Sequence, residues 1–335
     1  MTGFVVRRLL SAVLVVVFTS MFVFALFYVG MGDRPAINYC AQQNGHCSAQ
    51  KLASIEHQMG LDKSLVHNYR EWVKGLFVGR DNVYMQGKLY DCPAPCLGIS
   101  VTTDQPVWDD LKERYPATVT LAVGGAAIYL TGGVLLGALA ARWRGSSVDK
   151  LMVGSTLVIS AIPDYIIILM AWIYLSLKLP IFPNTGYYPI TEDPLKTVSY
   201  MMLPWLVLAM TSLTDYVRFT RGSMVETLHE DYMRTAQAKG LPMRHRLFKH
   251  ALRAAIVPVI TIFGLDFASL LSGTIFIEQI FGIDGIGRWG LQALNTPIDL
   301  GVLSTVVLVG AVLVVVANLL VDIIYGFLDP RVTVG

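Results

Sequence analysis

Residues 230–253, EDYMRTAQAKGLPMRHRLFKHALR, form a basic, alanine-rich segment between two strongly apolar runs. The acidic start of this segment favours a helix N-terminus, and Lys239 is a cation suited to a last helical turn. Gly240 supplies a left-handed stop, and Pro242 fits the first turn of a further helix. The segment therefore predicts a short helix, a sharp bend and a second helix that leads into the next apolar run.

The apolar runs around this segment are long enough to cross a bilayer. Hydrophobic residues make up 54% of the 335 residues and charged residues only 15%, which excludes most soluble classes. Pro163 interrupts one run and predicts a kink there. We predict an all-α membrane protein with six transmembrane helices, at residues 9–31, 116–141, 151–177, 197–214, 254–277 and 300–321.

The first run follows Arg7 and Arg8, and a signal peptide is its competing interpretation. The run is too long for a typical signal-peptide core, and no clear small-x-small cleavage site follows it. We expect a retained first span. The predicted divisions are the N-terminus and first helix (1–32), a polar segment (33–115), a five-helix core (116–329) and a tail (330–335).

Short loops predict the orientation, because Lys and Arg are retained on the cytoplasmic side. The loops at 142–150 and 217–253 are basic, whereas those at 178–196 and 281–299 are mixed or slightly acidic. We expect a multi-pass plasma-membrane protein with both termini in the cytoplasm. Segment 33–115 then lies outside the cytoplasm, between helices 1 and 2.

Segment 33–115 carries an amphipathic pattern and all the cysteines. Apolar residues at helical spacing (Leu65, Tyr69, Trp72, Val73 and Leu76) predict a helix. The disulfide candidates are Cys40, Cys47, Cys92 and Cys96, since an extracytoplasmic loop is oxidising. Four cysteines allow three pairings. A metal site is the alternative, because Cys92 and Cys96 are near zinc spacing and His46 adjoins Cys47.

The order of residues in the opening segment resembles a known family. Its stretches 232–241 (YMRTAQAKGL) and 250–253 (HALR) resemble the cytoplasmic loop of dipeptide, oligopeptide and nickel permeases, the membrane subunits of binding-protein-dependent ABC importers. Residues 278–288, EQIFGIDGIGR, resemble the Glu-x-x-Phe-x-x-Pro-Gly-Leu-Gly-Arg turn of that family, with Asp284 in place of the proline. The implied fold is that of a type I ABC importer permease.

In that family the cytoplasmic loop forms a coupling helix, which sits in a groove of an ATPase subunit. The ATPase-coupling residues that the resemblance implies are Glu230, Arg234, Thr235, Ala236, Ala238, Lys239 and Gly240. The small side chains of Ala236 and Ala238 suit close docking.

The resemblance implies a subunit that forms half of a translocation pathway for peptides or a similar small solute. Its implied partners are a second permease, usually a paralogue, two ATPase subunits, an extracytoplasmic solute-binding protein and membrane lipid. The chain has no G-x-x-x-x-G-K-[ST] phosphate loop, so we expect no cofactor in it and place ATP and Mg on the ATPase subunits. We therefore expect no enzymatic activity of its own.

Two other binding classes are disfavoured. Residues 285–290 match G-x-G-x-x-G, but no predicted strand precedes them, which argues against dinucleotide binding. The sequence has no Lys- and Arg-rich face interleaved with aromatics, which argues against nucleic-acid binding.

Asp266 lies near the middle of the fifth predicted span, where an ionisable group is costly unless it is paired or hydrated. It either lines the translocation path, makes an interhelical hydrogen bond or relays protons. In the rival function, an ion-gradient-driven secondary transporter, Asp266 and Glu278 would be the carriers. A membrane sensor that reads segment 33–115 is a third class.

Overall fold

A computed structural model describes residues 2–31, 48–59, 62–85, 88–184, 186–295 and 298–328. The N-terminal part contains α1 (Thr2–Met31), α2 (Ala49–Met59), α3 (Leu65–Val78), β1 (Arg80–Met85) and β2 (Lys88–Cys92). The central part contains α4 (Val107–Arg142), α5 (Ser147–Ser160), α6 (Asp164–Ala171, continued by a π-helical turn Trp172–Lys178) and α7 (Pro194–His229). The C-terminal part contains α8 (Asp231–Ala238), α9 (Met243–His245, followed by the π-helical Arg246–Ala251), α10 (Leu252–Leu271), α11 (Ile275–Ile280), α12 (Ile286–Gln292) and α13 (Leu300–Leu328).

The helices confirm the predicted class of all-α membrane protein. Five helical segments of the described chain are long and apolar enough to cross a membrane, and the bent pair α5–α6 would make a sixth if it counts as one span. The two halves of that pair meet at 92°. Pro163 lies at the break and immediately precedes α6, so the predicted kink is in fact a sharp turn of the chain.

The most extensive helix contact joins α4 to α7, and glycines of α4 make it possible. A Cβ atom added to Gly133 would lie 2.4 Å from the Cβ of Tyr216, and one added to Gly125 would lie 2.4 Å from Leu208. The backbones approach closely because these positions carry no side chain, as is usual in transmembrane helix pairs. The glycines of the predicted span 116–141 therefore permit the close contact of α4 with α7.

Several predicted spans differ in extent from the helices. The helix of the second span, α4, already begins at Val107, inside the predicted polar segment 33–115. The 36 residues of α7 continue well past Thr214, so the predicted loop 217–253 begins as a regular helix. At 1.5 Å per residue α7 is roughly 54 Å long, against about 30 Å for the hydrocarbon core. The fifth span was predicted to reach residue 277, but α10 ends at Leu271, and Gly273 adopts a positive φ of 111° before α11 begins.

The polar segment packs on the first helix through α3. The phenol of Tyr69 lies 2.8 Å from the hydroxyl of Ser20, and the rings of Tyr69 and Trp72 lie 5.5 and 5.8 Å from that of Phe24. The amphipathic helix predicted from this apolar pattern is therefore confirmed. The antiparallel hairpin of β1 and β2 that follows was not predicted from the sequence.

A disulfide joins Cys92 to Cys96 at the end of the hairpin. Of the two alternatives for these cysteines, a disulfide or a metal site, the structure has the disulfide. Cys40 and Cys47 lie outside the described residues. No group of metal-ligating side chains suited to an ion occurs in the part of the chain that the structure describes. The disulfide, and not a zinc ligand pair, is thus the state of Cys92 and Cys96.

The loop that follows the disulfide is fastened to the start of α13 by Asp299. Its buried carboxylate accepts hydrogen bonds from the hydroxyl of Ser100 at 2.6 Å and from the backbone N–H of Val101 at 2.8 Å. The same side chain accepts from the N–H of Val302, in the first turn of α13. One carboxylate therefore holds the polar segment against the helical core.

Candidate coupling helix and transmembrane acidic cavity

Helix α8 has the ends that the sequence predicts. Glu230 occupies its N-cap position, and Asp231 places a negative charge in the first turn. At the other end the N–H of Leu241 donates to the carbonyl of Ala236 and the N–H of Gly240 to that of Gln237, the pattern of a Schellman motif. Gly240 has a φ of 76°, so the predicted left-handed stop is confirmed.

The inner face of α8 packs on its own bundle. Met233 and Ala236, three positions apart on this face, are both buried, and Met233 belongs to a hydrophobic cluster with Leu247 of the π-helical segment and Met224 of α7. This corrects the expectation that Ala236 belongs to a docking face. The alanine lies instead on the buried face of α8, with 9% exposure.

The outer face of α8 is exposed along its length. Of the coupling residues implied by the resemblance, those outside the inner face are exposed: Glu230, Arg234, Thr235, Ala238, Lys239 and Gly240. Tyr232 joins them with 46% exposure, although sequence reasoning gave it no role. Partial burial and the nearby Glu230 carboxylate raise the pKa of the Tyr232 phenol, so this surface carries a neutral aromatic ring.

Asp266 lies in a polar cavity between three helices. The hydroxyl of Tyr216, on α7, donates a hydrogen bond of 2.8 Å to Oδ2 of Asp266 on α10. The cavity has a volume of about 230 Å³ and is lined by Tyr129, Ser212, Asp215, Tyr216, Asp266, Ser269 and Leu270. Asp266 and Asp215 are both exposed on the surface of the single chain.

Sequence reasoning missed Tyr216 as the hydrogen-bond partner of Asp266 and Asp215 as a second acid on its cavity. It ended the fourth span at the first charged residues after the apolar run. In the structure Asp215 pairs with Arg218 one turn further along α7, so these charges do not end the helix. The i, i+3 spacing of opposite charges was the signal that could have extended the helix.

Glu278 is not brought together with Asp266. It is fully buried, and its carboxylate accepts from the hydroxyl of Thr118 at 3.0 Å, from the N–H of Thr274 and from the N–H of Arg288. It does not line the cavity of Asp266. These contacts indicate a structural role in the turn between α11 and α12, and they argue against the paired carriers of a secondary transporter.

The G-x-G-x-x-G match at 285–290 has a structural explanation in the same turn. A Cβ atom on Gly285 would lie 2.6 Å from the carboxylate of Glu278, and one on Gly287 would lie 3.1 Å from it. The glycines therefore give the carboxylate access to the backbone N–H groups. No strand precedes them in the described residues 274–285, so the structure does not provide the context of a dinucleotide site.

Comparisons with known proteins agree over the whole chain. Residues 133–334 match the family described as "Binding-protein-dependent transport system inner membrane component", and residues 1–122 match its N-terminal counterpart. A putative peptide transport system permease protein of Brucella abortus is 33% identical over 332 residues, covering 99% of each chain. The di/tripeptide transport system permease protein of Pseudomonas aeruginosa is 32% identical and the dipeptide transport system permease protein of Escherichia coli K12 is 33% identical, again with 99% of each chain covered.

These relatives are permease components, the non-catalytic membrane subunits of ABC importers. The apolar helices of the described residues are consistent with these matches. The protein belongs to the family of inner-membrane components of binding-protein-dependent transport systems, as a multi-pass permease.

Proposed function

We propose that this chain imports peptides, as one half of a translocation pathway driven by separate ATPase subunits. The observation that carries the proposal is α8, a capped short helix with an exposed outer face at the end of the long α7. Its position between two helices that run into the bundle lets a force on α8 move both. The printed functions of the relatives, peptide and dipeptide transport, support the substrate class.

The complex that we propose contains a second permease, a paralogue of this chain, two ATPase subunits that bind ATP and Mg, and an extracytoplasmic solute-binding protein. Both termini and α8 lie in the cytoplasm, and segment 33–115 faces the binding protein. The exposed polar cavity of Asp266 faces the second permease and lines the path between the two chains. Alternating access then arises from rigid-body movement of the helices, driven through α8.

Reconstitution into proteoliposomes tests this function. The full complex is assembled with ATP on the side of α8, and the binding protein and a radiolabelled dipeptide are added on the other side. We expect accumulation that requires both ATP and the binding protein and that persists when a protonophore is present. Uptake without ATP that collapses with the protonophore would instead establish the secondary transporter.

A further inference from the structure

We propose that the cavity of Asp266 is a subsite for a primary ammonium group, and that it receives the amino terminus of the peptide during passage. This proposal rests on the proposed function, because it needs a peptide in the path. It goes further by assigning the contact that this chain makes with its substrate. The observations, both on one cavity, are a carboxylate with no paired cation and a buried hydroxyl with no hydrogen bond of ordinary geometry among the residues that the structure describes.

The carboxylate of Asp266 is not neutralised within the part of the chain that the structure describes. Its contact is the hydrogen bond from Tyr216, which engages Oδ2 and leaves Oδ1 able to accept. The other acid on the cavity, Asp215, already pairs with Arg218. A charged acid in a span is costly unless something compensates it, so a cation is the ligand that the site lacks.

The hydroxyl of Tyr129 is the second observation. Tyr129 is fully buried, lines the same cavity, and its ring lies 4.8 Å from that of Tyr216. Its hydroxyl makes no hydrogen bond of ordinary geometry to a described residue, although it lies close to the hydroxyl of Tyr216. Because buried polar groups are nearly always hydrogen-bonded, this hydroxyl has bonding capacity that an incoming N–H donor can use.

A primary ammonium group satisfies both residues. It has one positive charge and three N–H donors, which match Oδ1 of Asp266, the oxygen of Tyr129 and the hydroxyl of Ser269 on the cavity wall. A divalent metal ion fits less well, because one of the two carboxylates on the wall is already paired with Arg218 and the described residues contain no metal-ligating cluster. The free amino terminus is the ammonium group that every linear peptide carries, whereas a lysine side chain is present in only some.

Photo-crosslinking during turnover tests the subsite. The probe is a dipeptide whose second residue carries a diazirine, and it is supplied to the complete complex in nanodiscs with ATP and the binding protein. Labelling of α4, α7 and α10 is divided by labelling of the binding protein in the same sample, so that differences in delivery cancel. We expect Asp266→Asn to lower this ratio about tenfold, as loss of a charge-assisted hydrogen bond implies, and Asp266→Glu to lower it less.

Two matched variants make the test specific. Tyr129→Phe removes a hydroxyl that makes no hydrogen bond of ordinary geometry to a described residue, so we expect unchanged thermal stability and a ratio roughly threefold lower. Asp193→Asn makes the same chemical change at the N-cap of α7, outside the cavity, and we expect no change in the ratio. An N-acetylated probe lacks the ammonium group, so it should give a low labelling ratio that is equal in wild type and Asp266→Asn. A second acetylated probe that carries a lysine side chain tests whether another ammonium group restores labelling.

Several outcomes overturn the proposal. Equal labelling ratios for wild type and Asp266→Asn with the free-amino probe would do so. The same would follow if Asp266→Asn lowered the labelling ratio equally for the free-amino and the acetylated probes. Failure of Asp266→Asn to assemble with the second permease would make the residue an interface contact. Restoration by lysine with no effect of the free amino terminus would assign the site to side chains. ATP-independent transport would reject the proposed function instead, and the ratios would still report on the subsite.

Discussion

Asp149 and Arg221 form a bidentate ion pair that joins α5 to α7. The guanidinium donates from Nε to Oδ1 at 2.6 Å and from Nη2 to Oδ2 at 2.7 Å, and the Asp149 side chain is only 4% exposed. The N–H of Gly145 also donates to Oδ2, so the turn before α5 is ordered by the same carboxylate. The bent pair α5–α6 is thereby fastened to the long helix that ends at α8.

Arg221→Met is therefore expected to lower the free energy of unfolding by about 2 kcal/mol, because it leaves the Asp149 carboxylate buried without its cation. The double variant Asp149→Leu with Arg221→Met should recover part of this loss. Thermal unfolding of the purified complex measures both. Lys112→Met, which breaks an exposed pair with Asp109, serves as the control and should change little. Equal effects of Arg221→Met and Lys112→Met would contradict the structural role of the pair.

Gly240→Val should uncouple ATP hydrolysis from transport while the bundle remains folded. No atom lies within 4 Å of a Cβ at this position, so the cost is conformational, about 1–2 kcal/mol for a residue at φ 76°. That strain acts on the end of α8. The measurements are copurification of the ATPase subunits and stimulation of hydrolysis by loaded binding protein.

Gly145→Val is the matched control for this prediction. Gly145 has a φ of 81° and equally open surroundings, but it lies in the turn between α4 and α5. Gly145→Val introduces the same kind of backbone strain as Gly240→Val, but it leaves α8 unchanged. Normal stimulation in Gly240→Val, or the same loss in both variants, would falsify the role of the α8 bend in coupling.

The two faces of α8 should respond oppositely to one bulky substitution. Ala238→Arg places the new side chain on the exposed face, so we expect normal thermal stability and weaker binding of the ATPase subunits. Ala236→Arg places it on the buried face of α8, so we expect a lower melting temperature of the permease itself. Melting temperature and ATPase affinity are both measured for each variant. Weaker ATPase binding without a stability loss in Ala236→Arg would show that the assignment of faces is wrong.

Gly133→Ala should loosen the contact of α4 with α7. The added methyl would overlap Tyr216, and relieving the overlap costs about 1–3 kcal/mol. Gly154→Ala, on α5 with no atom within 4 Å of the new methyl, is the control and should be neutral or stabilising by up to about 1 kcal/mol. Because Tyr216 also holds Asp266, peptide uptake should fall in Gly133→Ala alone. The test compares the melting temperatures of Gly133→Ala and Gly154→Ala. Similar values for the two variants would rule out the close packing of α4 on α7.

The apolar runs, the punctuation by glycine and proline, and the residue order of the α8 stretch were sufficient to predict the class, the family and the ends of α8. These features depend on local conformation and on transfer of side chains into lipid, which are properties of a segment by itself. Gly240 shows this most directly, since a positive φ is a local preference. The break at Pro163 was predictable for the same reason, although its 92° angle was not.

Only the tertiary structure placed the two acids that sequence reasoning had paired. Asp266 and Glu278 are twelve positions apart in the chain, yet one lies on an open cavity and the other is sealed by Thr118 of α4. Likewise Ala236 and Ala238 look alike in the sequence, but Ala236 is buried and Ala238 is exposed. Which partner a side chain meets depends on residues distant in the chain, so the contacts of α4 with α7 and α10, and not the local pattern, determine the site.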